Sequence, residues 1–506
     1  AMIYNNSNYG YAVATNKTFI AISNPTNFVY NISSSMLRSG SVEILQFDDE
    51  SNSYKHRYTI KKHIHPEYFI SDEIDNVLST ESGSWSDPSA SYFLLTDEIT
   101  NIINTDTGSV SGSSYDLMVD LAEDFNSAFD FLYEYGDLNY TGSKFGKSLA
   151  IYGTTLVIGD PLFYFTPTNQ ISESISGSMV DIYEMSGSLN DPVYYVTSIS
   201  NSFESLYNSA TTFGESVSIY NDIIAIGASS VSSSRGVVYL YKNISNEWQY
   251  YQTLSGSAAT SGSRFGGVVK IDQSGSYNII VGNTATGSGL VYVFGYDSSS
   301  GYWKQNTILY PNRNITSSLQ ELNHNWPPYI TSSFNPDAFG NSVGIFGNQI
   351  IVGAPKDTQY FQYENSPIYR RRGAVYFYEN CTDDSIHWKL TQKSFGSDQL
   401  LNTNYFGWDV DLHGTSSIVS SLKTNWPFSQ SYVENTIYKK FNCNPNDDEY
   451  NVLGQVVIYE KSGSLWSTTN TITKNKIYGE PYSVYGFDVS MYDGSFVVGA
   501  PVIITL

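Results

Sequence analysis

The run Phe339–Pro355, FGNSVGIFGNQIIVGAP, constrains this chain more than any other. After Phe339-Gly340, the segment Ser342-Val343-Gly344-Ile345-Phe346 alternates as a strand with one buried face does. Gly347-Asn348 breaks it, and Gln349-Ile350-Ile351-Val352 returns. Gly-Asn between two β runs marks a hairpin, because a tight primed turn needs positive φ at its centre. Gly353-Ala354-Pro355 ends the return strand, since proline cannot donate to a ladder beyond it. The same pattern starts at Tyr9-Gly10, Phe145-Gly146, Phe213-Gly214, Phe265-Gly266, Phe406-Gly407 and Tyr485-Gly486, which makes seven copies. The copy at Phe406 lacks the closing glycine.

A second motif trails six copies: a glycine followed by a short Val/Tyr strand, at Gly40, Gly177, Gly236, Gly289, Gly373 and Gly454. A third piece often opens with tryptophan, at Trp248, Trp303, Trp388 and Trp466. Each unit therefore holds four short strands in up-and-down order. One such unit cannot bury both faces, whereas radial stacking of units does, and that is a β-propeller. Spacings between copies run from 52 to 136 residues, long for a blade, so loops should decorate the rims.

These repeats resemble the FG-GAP family, which includes the seven-bladed heads of integrin α subunits. The resemblance covers residues 9–60 and 143–506. It implies an all-β fold, a seven-bladed β-propeller of four-stranded blades, with one helix-containing insertion. Integrin-type repeats often carry an Asp/Asn-rich calcium loop between their first two strands. Calcium needs six or more oxygens, which closely spaced carboxylates supply. Here those connections are as short as Asn16-Lys17, Gly153-Thr154, Asn221-Asp222, Gly347-Asn348, Gly414-Thr415 and Asp493-Gly494, and Asp272–Ser276 has one acid. The sequence resembles the shorter variant that turns without metal, so no cofactor and no metal site are expected.

Residues 1–65 read as the first blade with a closing segment, 66–142 as an insertion, and 143–506 as the remaining blades. Within the insertion, Leu117, Leu121, Phe125, Ala128, Phe129 and Leu132 form one apolar stripe of a helix over 115–135, capped by Ser114 and stopped by Gly136. The last copy supplies two strands before Leu506, so its blade is expected to be completed either by residues beyond 506, or in part by the N-terminal strand with a neighbouring chain covering the rest.

The net charge of −23 argues against nucleic acid, whose phosphates demand Lys/Arg patches. The one basic run, Arg370-Arg371-Arg372, reads as loop charge. No apolar run approaches the roughly 18 residues that span a membrane. Cys381 and Cys443 fall on opposite rims of the expected meander, which argues against a disulfide. His63 and His65 share a strand face but lack a third ligand at metal spacing. No nucleophile elbow, Walker loop or HExxH is present. The first strands carry what read as single charges, at Lys147, Glu215, Lys270 and Asp409. The chain is therefore expected to be no enzyme.

With 43 tyrosines and only 15% charged residues, the chain suits contact outside a cytoplasm. The reading is a binding or structural propeller at a virion surface or tail, serving host attachment or particle assembly. A bacterial adhesin or surface-lattice module is the alternative, and a carbohydrate-active enzyme domain the third. Partners would be a protein or glycan receptor, or neighbouring surface proteins in a symmetric assembly. Trp326, Tyr329, Trp426 and Phe428, in long connections, are the candidate ligand-binding residues, because exposed aromatics often anchor interfaces.

Overall fold

The computed structural model describes residues 9–25, 28–30, 36–38, 40–61, 144–165, 175–185, 191, 193–200, 212–275, 277–283, 289–311, 338–363, 366–381, 387–396, 403–422, 454–473 and 485–501. The fold is all-β. Four antiparallel meanders of four strands come first. The first joins Val13–Thr15, Phe19–Asn24, Ser41–Asp48 and Ser53–Lys61. The second joins Ser148–Tyr152, Thr155–Phe165, Ile175–Glu184 and Tyr194–Ser200. The third joins Ser216–Tyr220, Ile223–Ala228, Val237–Ile244 and Glu247–Leu254, and the fourth Phe265–Ile271, Asn278–Asn283, Leu290–Asp297 and Tyr302–Leu309.

The fifth meander (Ser342–Phe346, Gln349–Ala354, Ser366–Cys381, His387–Phe395) and the sixth (Thr403–His413, Ser416–Ser421, Gln455–Ser462, Leu465–Thr473) fuse into one larger sheet. The link is a short parallel pairing of Arg371 with Thr403 and Gly373 with Phe406. Among the described residues the last sheet has two strands, Val489–Tyr492 and Ser495–Val498. The Gly-Val-Tyr strands take third place wherever a four-strand run is described, as their sequence position requires.

Three expectations need comment. Arg370–Arg372 is not a loop: it belongs to the strand Ser366–Cys381, where Gln359 pairs with Arg370 and Thr358 with Arg371. The first hairpin turns one residue later than expected, because Thr15 pairs with Ile20 and Asn16 donates its N–H to the Phe19 carbonyl, leaving Lys17-Thr18 at the tip. The insertion 66–142 with the helix expected over 115–135, His63, His65, Cys443 and residues 1–8 lie outside the described residues.

Each interior strand is buried on both sides, which explains its unbroken apolar run. In Ile223-Ile224-Ala225-Ile226, Ile223 and Ala225 pack into a cluster shared with the fourth sheet, while Ile224 and Ile226 pack into one shared with the second. The period of two thus splits one strand between two interfaces. In the same way, Ile350 and Val352 face the fourth-sheet side and Ile351 the sixth. Phe145, Phe213, Phe265, Phe339 and Phe406 fill these interfaces and are at most 1% exposed. The tyrosines that replace Phe fare differently: Tyr485 is half-buried and Tyr9 is 39% exposed.

The glycines of the repeat have a steric cause. Gly10, Gly146, Gly214, Gly266, Gly340, Gly407 and Gly486 all have φ between +81° and +87°, a region costly for other residues. The closing glycine answers a different need. A Cβ at Gly353 would stand 2.2 Å from the Gly407 carbonyl oxygen, and one at Gly159 2.1 Å from that of Gly214. A Cβ on Gly499 would meet the Gly10 carbonyl oxygen at 2.2 Å, so the last sheet packs on the first as every other sheet packs on its successor. In the Phe406 copy, Ser420 takes this place, and the ideal Cβ of Gly486 falls 3.0 Å from the Ser420 Cβ.

Candidate functional site

Apart from the short parallel link of Thr403–His413 to the fifth meander, the first strand of each sheet is an edge strand, and its unpaired N–H groups must find acceptors. Side chains of the preceding first strand supply them. Ile271 N–H donates to Ser218 Oγ at 2.9 Å, Gly347 N–H to Asp272 Oδ1 at 2.9 Å, and Val410 N–H to Ser342 Oγ at 2.8 Å. Val489 N–H donates to Asp409 Oδ2 at 2.6 Å and Met491 N–H to Asp411 Oδ2 at 2.8 Å. The circuit closes where Val13 N–H donates to Asp488 Oδ2 at 2.6 Å and Thr15 N–H to Ser490 Oγ at 3.2 Å.

This packing draws charges to the axis that lie far apart in sequence. Lys270 Nζ lies 3.5 Å from Asp411 Oδ1, and Asp409 and Asp488 stand beside them. The expectation of single, separated charges on the first strands is therefore wrong for Lys270 and Asp409. Burial opposes the charged form of Lys270, but Asp411, Asp409 and Asp488 together outweigh it and raise its pKa. Burial raises Asp409, against the pull of the Ser342 hydroxyl and Lys270. Asp488 is raised well above the carboxylate range by burial first and by the Asp409 charge second. A lysine with a carboxyl pair could in principle move protons. Yet each carboxyl is already the acceptor for a neighbouring strand, and the axial cavity measures only 60 Å³. Ligand sites usually offer about 300–1,000 Å³.

A second feature surrounds the axis on the side of the tight turns. The residue that ends or directly follows each first strand is Asn16, Tyr152, Tyr220, Asp272, Phe346, His413 or Tyr492. Five of the seven are aromatic or imidazole rings, and they touch in series. Tyr152 meets Tyr220 at 4.9 Å between centroids, Phe346 meets His413 at 4.5 Å, and His413 meets Tyr492 at 4.4 Å. Tyr220 continues to Tyr277 at 6.0 Å, which stands in for the ring missing at Asp272. Burial lowers the His413 pKa, with Asp411 and Asp493 opposing, and its Nδ1 accepts the Asp493 N–H at 3.1 Å. The collar breaks at Asn16. There a pocket of about 430 Å³ opens, flanked by Tyr152 and Tyr492 and lined by Phe19, Gln46, Thr18 and Thr154.

Of the residues expected to bind ligand, Trp326, Tyr329, Trp426 and Phe428 lie outside the described residues. The axial cluster and the collar escape a linear reading because Lys270 and Asp411 are 141 residues apart. The usable signal is register. Aligned on Phe-Gly, Lys270, Asp411 and Ser490 occupy one position of the repeat, and the collar residues occupy the position two further on.

No protein-family model matches the sequence, and no curated protein matches it. Among solved structures, the periplasmic gluconolactonase PpgL of Pseudomonas aeruginosa is similar with a TM-score of 0.41 and 9% identity, over 99% of this chain and 90% of that one. Sqt1 from Chaetomium thermophilum is similar with a TM-score of 0.42 and 9% identity, over 99% of this chain and 95% of that one. Sqt1 of Saccharomyces cerevisiae gives a TM-score of 0.32 and 7% identity, over 72% of this chain and 81% of that one. These likenesses assign neither activity nor partner to the chain.

Proposed function

We propose that the chain is a seven-bladed propeller of the FG-GAP type, acting without catalysis as a binding or structural module at a virion surface or tail, in host attachment or particle assembly. The observation that carries this reading is the use made of the axis. Its polar groups are engaged in joining neighbouring strands, and the cavity left is 60 Å³, so the surfaces free to vary are the rims. The low charge and abundant tyrosine support contact with a protein or glycan receptor. The convergence of Lys270 with Asp409, Asp411 and Asp488 favours a second, enzymatic reading, which the small cavity weighs against.

Quantitative mass spectrometry of purified particles and of cell fractions from the source tests the proposal. The chain is expected in the particle fraction at a copy number fixed by symmetry. Enrichment in a cell envelope would favour the adhesin, and a cytosolic location would overturn both. Trp326→Ala and Trp426→Ala are expected to weaken attachment while leaving the melting temperature unchanged.

A further inference from the structure

We propose that the pocket at the break in the aromatic collar binds a neutral saccharide unit. The inference deepens the binding-module reading and rests on it. Three properties of the pocket point to this class. First, its volume of about 430 Å³ lies within the usual range for small ligands, about 300–1,000 Å³. Second, among the described residues no charged side chain lines it, so these offer neither a counter-ion for phosphate or carboxylate nor a carboxylate for an amine.

Third, the lining combines aromatic rings with uncharged hydrogen-bonding groups. Tyr152 and Tyr492 stand on either side, Phe19 forms part of the wall, and the polar groups are amides and hydroxyls of Asn16, Gln46 and Thr154. A sugar ring presents the complementary pair, an apolar C–H face and a rim of hydroxyls. Gln46 Oε1 is buried and meets no donor among the described residues. A buried acceptor left unmade costs about 1–3 kcal/mol, so a turn of the Gln46 amide that brings this oxygen to a ligand hydroxyl would recover that cost.

The pocket is also held in shape before any ligand arrives. Asn16 Nδ2 donates to the Gly153 carbonyl at 2.5 Å, bridging the first and second sheets, while its Oδ1 accepts the Phe19 N–H at 2.9 Å. Both flanking tyrosines sit beside tight turns and pack on a further ring, Tyr152 on Tyr220 and Tyr492 on His413. Such preorganisation spares a ligand the cost of ordering loops.

The test screens the purified chain against an array of neutral and acidic oligosaccharides, then titrates the best neutral binder by calorimetry. The wild type is expected to bind neutral glycans without preference for sialylated or uronate-bearing ones. Gln46→Leu and Tyr152→Ala are each expected to weaken binding at least about tenfold, in line with loss of a hydrogen bond or an aromatic contact. Thr154→Trp, in an exposed turn, fills the pocket and is expected to abolish binding with an unchanged melting temperature. The proposal is overturned if no neutral saccharide binds, if acidic glycans or a peptide partner occupy the pocket instead, or if all three variants bind like wild type. Binding of wild type and T154W to source cells separates the two readings. Equal cell binding by both leaves the binding module standing and removes this pocket from it. Absence of cell binding by the wild type counts against the module, and the array alone then decides the pocket.

Discussion

Gly353 and Gly463 look equally indispensable in the sequence, yet the protein needs them for different reasons. At Gly353 the obstacle is space, with the Gly407 carbonyl oxygen 2.2 Å from where a Cβ would sit. At Gly463 the surroundings are open and only a φ of +62° resists a side chain. Gly353→Ala should therefore cost about 3 kcal/mol, as overpacking of a tight interface does. Gly463→Ala should cost about 1 kcal/mol. Urea denaturation of the two variants checks the order. The acids at the axis give a second residue-scale prediction. Asp488 and Asp409 are raised, so they hold protons more tightly folded than unfolded. The stability they contribute is present at acid pH and fades as pH rises through their folded pKa values. Asp488→Asn keeps an oxygen for the Val13 N–H and removes the charge. It should stabilise the protein at pH 7.5 by about 1 kcal/mol, an advantage that shrinks towards pH 5. Melting curves across that window would show it. Asp48 moves the opposite way, held down to about 2 by its bond to Lys55, so its contribution is lost only in stronger acid.

Between sheets, the outer strands are tied by a device that the repeat did not reveal. Gln252 donates from Nε2 to the Trp303 carbonyl at 2.8 Å and accepts the Trp303 N–H on Oε1 at 2.9 Å. Gln392 does the same to Trp466, at 2.9 Å each way. The amide thus copies a rung of a β-ladder between strands that are otherwise unpaired. Gln252→Ala and Gln392→Ala are each expected to cost about 1–2 kcal/mol, since both partners on the neighbour lose a bond. Faster hydrogen exchange at the Trp303 and Trp466 amides is the readout that locates the effect. The sequence showed Trp as the opening of a fourth strand, because that signal recurs along the chain. It did not show the glutamines, because their partners lie 51 and 74 residues away and only packing selects them. For the same reason the strands and tight turns were readable from period and glycine. The axial acids and the collar were not, since each is made by several repeats together.

At the scale of the molecule, the order of the sheets was legible because every repeat carries both halves of its contact, a Phe-Gly or Tyr-Gly and the small residue, glycine or serine, that receives the next one. The long connections carry no such pattern, and with them go Trp326, Tyr329, Trp426 and Phe428. The strand-to-strand bonds at the axis have one further consequence. From the third sheet round to the first, the accepting side chain belongs to the earlier sheet and the donating N–H to the later one. These five joints therefore run head to tail with the same hand, and only the accumulated rotation makes the series close. Joints of this kind form rings when the rotation closes and filaments when it does not. A copy opened at the last joint would present donors at Val13 and Thr15 at one end and acceptors at Asp488 and Ser490 at the other. Those ends fit any second opened copy. Mild urea that opens this joint in the wild type, with both acceptors kept, is thus expected to give, with rising protein concentration, a ladder of successive oligomers in mass photometry instead of stopping at a dimer. The same directionality that lets one chain meet itself makes its failure mode a polymer.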